Sequence, residues 1–201
     1  MLKQTALIVL MGLSASAMAG QWQVKVGGSA IAPTQDKQIA NDTMTVEADS
    51  ELAFTPSVEY FFNDNFSAEL LLATPISHDV NVTGAATAGV KLKHLPPTIT
   101  AKYNFKNSTA FTPYIGVGAT AFIPWDEEAS GDLANTKVKV KEDFGYAAQI
   151  GFNFQPADAK NWGVFADVRY ADLNPKVETA VENFKLDIDP VIYTLGYSYK
   201  F

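Results

Sequence analysis

Beyond residue 20 the chain alternates, apolar then polar, one side chain at a time. A period of two sends successive side chains to opposite faces of an extended strand, and no helix satisfies it. No run of about 18 apolar residues interrupts the pattern, so nothing predicts a membrane-crossing helix. The chain is oily all the same: 47% of its 201 residues are hydrophobic and only 18% are charged. An ordinary soluble domain carries about 25% charged residues. The apolar content is therefore concentrated on one face of each strand.

Eight such segments follow one another. Residues 21–32 set Trp22, Val24, Val26, Gly28 and Ala30 against Gln23, Lys25, Gly27 and Ser29. Residues 51–62 set Leu52, Phe54, Val58 and Tyr60 against Thr55, Ser57 and Glu59. After Asn63-Asp64-Asn65, residues Phe66, Ala68, Leu70 and Leu72 oppose Ser67 and Glu69. Next, Ile99, Ala101, Tyr103 and Phe105 oppose Thr98, Thr100, Lys102 and Asn104. The same pattern returns near residues 111–120, 143–154, 162–170 and 191–201.

A soluble β-sandwich alternates in the same way. Three features favour a membrane barrel instead. Aromatic residues gather at the ends of the apolar faces (Trp22, Phe62, Phe66, Phe105, Phe111, Phe154, Trp162, Phe201), as an interfacial girdle does. Connections alternate between short, near 63–65, 106–110 and 155–161, and long, near 33–50, 77–93, 123–142 and 174–186. That is the asymmetry of periplasmic turns and extracellular loops. An even number of strands also returns both ends to one side. The fold predicted is all-β: an eight-stranded antiparallel transmembrane β-barrel with short periplasmic turns and long extracellular loops. Closure leaves no unpaired strand edge in the lipid.

The first residues read as an address. Lys3, the apolar stretch 6–13 and the small residues Ala17-Met18-Ala19 have the form of a secretory signal peptide. Residues 1–19 are expected to be that signal and 20–201 the barrel, exported to the bacterial outer membrane. With no cysteine, disulfide scaffolds, zinc ribbons and thiol nucleophiles are excluded. A formal net charge of -7 argues against nucleic acid as a partner.

Several stretches resemble the OmpW family of small outer-membrane proteins. They are Leu71-Leu72-Ala73-Thr74-Pro75 with His78-Asp79, and Lys93-His94-Leu95-Pro96-Pro97-Thr98. Tyr114-Ile115-Gly116-Val117-Gly118, Asp167-Val168-Arg169-Tyr170 and the stretch from Asp189-Pro190 to Phe201 complete the set. The histidine–leucine–proline–proline stretch is the most specific of these; a terminal aromatic strand is shared by most outer-membrane barrels. The resemblance implies an eight-stranded barrel that lets small, mainly hydrophobic compounds cross the outer membrane. The loops fit no family pattern, so the identity of the ligand is not carried over.

The lumen has its own logic. A turn centred on Asp64 places Glu59 opposite Glu69, both pointing inward. Like charges directly opposed destabilise a strand pair, so a cation or a shared proton must join them. Lys25 and Lys102 fall at a similar height, with Asp167 and Arg169 somewhat higher. An eight-stranded barrel has an interior that side chains can fill. Lys25, Glu59, Glu69, Lys102, Asp167 and Arg169 are therefore expected to form an ion-paired plug.

Nearer the extracellular end the inward positions turn apolar: Ile31, Ala53, Leu71, Ala73, Pro75, Pro96, Phe122 and Ile192. This vestibule suits a small hydrophobic molecule, which the plug would turn sideways between strands. Pro33, Pro56, Pro75, Pro96, Pro97 and Pro113 cannot donate ladder hydrogen bonds. They either open such a gap or simply end the pairing.

Weaker signals are read conservatively. His78 and His94 are expected at the rim of the loops, and no catalytic site is expected. Asp126-Glu127-Glu128 and Asp187-x-Asp189 lack the glycine and terminal glutamate of a calcium loop; solvated acidic loops are expected, with no metal and no cofactor. Lys137-Val138-Lys139-Val140-Lys141 predicts a strand continuing above the bilayer; a solvated ribbon is the plainer reading, with contact of its lysines to lipid phosphates the alternative. Gly116-x-Gly118 has no helix after it, so it makes room for lumen neighbours rather than a nucleotide. The partners expected are outer-membrane lipid and lipopolysaccharide, a small hydrophobic solute, and the barrel-assembly machinery, met through the last strand ending at Phe201. The rival reading is a structural, adhesive or receptor barrel that transports nothing.

Overall fold

In the computed structural model the alternating segments pair edge to edge until the first meets the last. The structure describes residues 21–34, 37–39, 44–48, 50–74, 76–84, 88–131, 138–178 and 183–201. The expected signal segment, 1–19, lies outside them.

The first strands are β1 (Trp22–Ala32), β2 (Lys37–Ile39), β3 (Met44–Ala48), β4 (Glu51–Phe61) and β5 (Phe66–Leu71). They are followed by β6 (Ile76–Gly84), β7 (Ala88–Leu95), β8 (Thr98–Asn104), β9 (Phe111–Gly131) and β10 (Lys139–Val140). The last are β11 (Asp143–Phe154), β12 (Trp162–Ala171), β13 (Lys176–Glu178), β14 (Asn183–Lys185) and β15 (Val191–Lys200). Eight of them are the staves of a closed antiparallel barrel, in the order β1-β4-β5-β8-β9-β11-β12-β15 and back to β1.

The periplasmic turn after β4 is held by Asn63. Its side-chain oxygen accepts the N–H groups of Asn65 and Phe66, both at 2.9 Å, the local bond that makes asparagine a turn former. This turn fixes the register, and Glu59 pairs with Glu69.

At the other end the structure departs from the sequence reading. The stretches expected as loops carry strands. β9 runs 21 residues, and its upper half is the template on which β7, β6, β3 and β2 pair in succession. A bulge between Lys91 and Lys93 breaks the β7–β9 register. The lysine–valine ribbon, the one part of these stretches predicted as strand, supplies β10, which joins β13 and β14 in a separate three-stranded sheet. Alternation in these stretches is short and polar, so it reads as loop until a neighbouring strand supplies hydrogen-bonding partners.

Burial is inverted relative to a soluble protein. Leu52, Phe144, Tyr146, Val117 and Leu195 point outward and are 84%, 76%, 72%, 68% and 68% exposed. At the periplasmic end outward aromatic rings touch one another: Trp22–Tyr60–Phe62, Phe66–Tyr103–Phe105 and Tyr199–Phe201. Inside, lysine, glutamate and arginine are buried.

Candidate lumen site

The charged layer is built from inward positions of facing staves. Lys25 on β1 places Nζ 2.6 Å from Glu59 Oε2 and 3.7 Å from Glu69 Oε1. Lys102 on β8 places Nζ 3.0 Å from the Oε2 atoms of both glutamates. Ser57 and Ser67 each donate a 2.6 Å hydrogen bond, to Glu69 and Glu59 respectively. Two ammonium groups, rather than a shared proton, lie between the opposed carboxylates. Arg169 on β12 lies 3.9 Å from Glu69 and 3.8 Å from Asp167. None of the six charged residues is more than 6% exposed. Three cations face three anions, so the layer is neutral.

Three uncharged members of this layer escape the sequence reading. Tyr114 on β9 donates to Asp167 at 3.0 Å and lies beneath Lys102 Nζ, 3.7 Å from its ring centroid. Gln149 accepts a hydrogen bond from Arg169 and donates to Thr100 at 3.0 Å. Phe165 faces Lys25 at 5.2 Å. Parity was the signal available: 114 shares the inward parity of 116, 118 and 120. Gly116 leaves the volume that Gln149 and Lys102 occupy, since a Cβ there would lie 2.8 Å from one and 3.0 Å from the other.

Above the charges comes a band of hydroxyls. Ser29 Oγ is 2.7 Å from Thr55 Oγ1 and 2.8 Å from Thr194 Oγ1. Across the lumen Thr98 and Thr120 meet at 2.9 Å. Over this band lies a narrow cavity of about 40 Å³. Of the expected pocket residues, Ile31, Leu71, Ala73, Pro96, Phe122 and Ile192 line it. Ala53 packs with Ile31, Ala73 and Ile192 in one buried cluster beside the cavity. Pro75 lies outside the described residues.

His94 is not at the rim. It is 4% exposed, lines the cavity and stacks on Phe122 with ring centroids 4.6 Å apart. The β7–β9 pairing that turns it inward belongs to the part of the molecule read as loop. The side chain of His78 lies outside the described residues. Among the described residues no cluster of His, Asp and Glu is arranged to hold a metal.

A roof closes the cavity from above: Val140 of β10, Leu173, Pro175 and Leu186. It is pinned at Asp189, whose φ of 39° is in the left-handed region that aspartate tolerates better than most side chains. Asp189 Oδ1 accepts the Leu173 N–H at 3.0 Å, and its carbonyl accepts the Thr34 hydroxyl at 2.7 Å. Burial, with Asp172 and Asp187 nearby, raises the carboxyl of Asp189 above the usual range. On the outer sheet, a hydrogen bond from Lys141, with Lys176 also donating, holds the Glu178 carboxyl below its usual range.

The wall beside the cavity has an unpaired seam. The β5–β8 ladder ends at Leu71↔Thr98, and the β6–β7 ladder begins at Ile76↔His94. Between them the described residues 72–74 and 96–97 form no pair with each other. Leu72 and Thr74 donate the other way, to Pro56 and Phe54 carbonyls at 2.8 and 2.9 Å. Pro96 and Pro97 have no N–H to give. Pro56 and Pro113, by contrast, sit within ladders, and their carbonyls accept Leu72 and Phe105 N–H groups.

Residues 18–201 match the OmpW family. The chain is 31% identical over 222 residues to Outer membrane protein W of Vibrio cholerae serotype O1, with all of both chains covered. It is 28% identical over 212 residues to Outer membrane protein W of Escherichia coli K12, covering 98% of this chain and 97% of that protein. Among solved structures it is similar to the outer membrane protein OprG from Pseudomonas aeruginosa, with a TM-score of 0.81 and 25% identity. That likeness covers 92% of this chain and 97% of that one.

Proposed function

Because the chain belongs to the OmpW family and is a β-barrel of the bacterial outer membrane, we propose that it is a passive conduit for small hydrophobic compounds. Solute enters through the apolar cavity and leaves sideways, above the charged layer, between β5 and β8.

The observation that carries this reading is the vertical order of the lumen: apolar cavity, hydroxyl band, paired charges. A solute moving down the axis has to separate buried ion pairs. Breaking a buried pair costs about 3–5 kcal/mol. Moving sideways it parts apolar side chains beside a wall that lacks ladder hydrogen bonds. The resting cavity, about 40 Å³, is far below the roughly 300–1,000 Å³ of a typical ligand pocket. The roof and the seam therefore have to part as solute loads.

The membrane contacts follow the same reading. The outward apolar staves meet lipid, and Lys139, Lys176 and Lys185, exposed on the outer sheet, suit the phosphates of lipopolysaccharide. Export by the signal segment 1–19 and assembly through the terminal strand ending at Phe201 complete the proposal.

Uptake of a labelled apolar solute by intact cells, with and without the barrel, tests it. The barrel is expected to raise the uptake rate several-fold. Equal rates would leave a structural or adhesive barrel as the better account.

A further inference from the structure

Apart from the His94 imidazole, stacked on Phe122, the cavity is oily on its walls and roof, but its floor is not. Thr55, Thr98 and Thr120 line it from below, each no more than 3% exposed. Each hydroxyl carries one proton and two acceptor lone pairs. The protons have oxygens waiting within the wall. Thr55 reaches the Gly27 carbonyl at 3.3 Å. Thr98 reaches the Pro96 carbonyl at 3.3 Å and Thr120 the Pro97 carbonyl at 3.5 Å, and the two threonines also meet each other at 2.9 Å. Ser29 and Thr194 add two more hydroxyls with the same surplus of lone pairs. The capacity left over at the floor is acceptor capacity.

Resting on the conduit reading above, we infer that the preferred solute is an amphiphile with a neutral hydrogen-bond-donor head, such as an alcohol or a primary amide. Its chain lies among Ile31, Leu71, Phe122 and Ile192, and its head points down to the threonines. An alkane forgoes the spare lone pairs of the threonine oxygens, whereas a donor head gains a hydrogen bond to one of them. A carboxylate brings only acceptors and sets its charge against the lone pairs. Below, three cations and three anions cancel, so the charged layer offers no net attraction to rescue it.

Titration of the full barrel in lipid nanodiscs with 1-octanol, octane and octanoate near neutral pH tests the inference, read by threonine methyl NMR. Octanol is expected to bind roughly three- to tenfold more tightly than octane, the worth of one net hydrogen bond, and to shift the Thr55, Thr98 and Thr120 methyls. Octanoate is expected to bind most weakly. The variants Thr98→Val and Thr120→Val should bring octanol and octane to within twofold, while Thr98→Ser keeps the preference. Equal binding of octane and octanol by the unmodified barrel would overturn the donor-head inference and leave the conduit intact. If none of the three compounds binds, the conduit reading falls with it.

Discussion

Lys102 makes three close contacts in the lumen: two carboxylates at 3.0 Å and an aromatic face at 3.7 Å. Lys102→Met keeps the volume of the stem and removes the charge, leaving Glu59 and Glu69 to share Lys25, with Arg169 3.9 Å from Glu69. The expected loss is about 3–5 kcal/mol of stability, measured by urea unfolding in lipid vesicles. A loss below about 1 kcal/mol, the range of exposed pairs, would show that the layer is wetter than its burial implies. At this scale much was legible in the sequence. Glu59, Glu69, Lys25 and Lys102 are found by parity and by one short turn, because a turn of known length fixes the register of the strands it joins. Tyr114 and Gln149 were within reach of the same parity but carry no charge to draw notice. His94, Leu173, Pro175 and Leu186 were out of reach, because they come from stretches whose parity is not tied to the barrel by any short turn.

At the scale of elements the question is what the seam between β5 and β8 permits. Continuing the Leu71↔Thr98 register by one step pairs Leu72 with Pro97. The chain has no cysteine, so Leu72→Cys with Pro97→Cys makes a single bridgeable pair. Oxidation is expected to cut solute uptake to near the level of cells without the barrel, and reduction to restore it. Uptake that ignores the bridge would place the exit elsewhere in the wall. By sequence alone six prolines are equal candidates for such a gap. The structure separates them: Pro56 and Pro113 sit inside ladders, whereas Pro96 and Pro97 stand where pairing stops. A proline says which bond is missing, but only its neighbours say whether another strand needed that bond.

The whole molecule is a cylinder with oil outside and paired charge inside. Its fold was legible because lipid and lumen impose opposite demands on successive residues of every stave. The loop strands were less legible, because water makes no such demand on either face. A lumen crossed by a neutral layer of buried ion pairs is expected to pass few ions. In planar bilayers the purified barrel should show no steady conductance of the kind a water-filled pore gives. Stable open steps in salt solution would contradict the closed lumen.

The ladder between β1 and β15 joins Gln23 to Lys200 and Ala32 to Val191. It is the seam at which the cylinder shuts, and its two edges lie at opposite ends of the polypeptide. Until residues near 200 are available, β1 has no partner on that side, and Lys25 has no enclosed lumen in which to meet Glu59. Closure of the barrel thus waits on the last strand: what precedes it is an open sheet with one edge of β1 unpaired. Damage to those final ten residues should be felt at birth, as failure to arrive in the membrane, before any question of what the finished barrel carries.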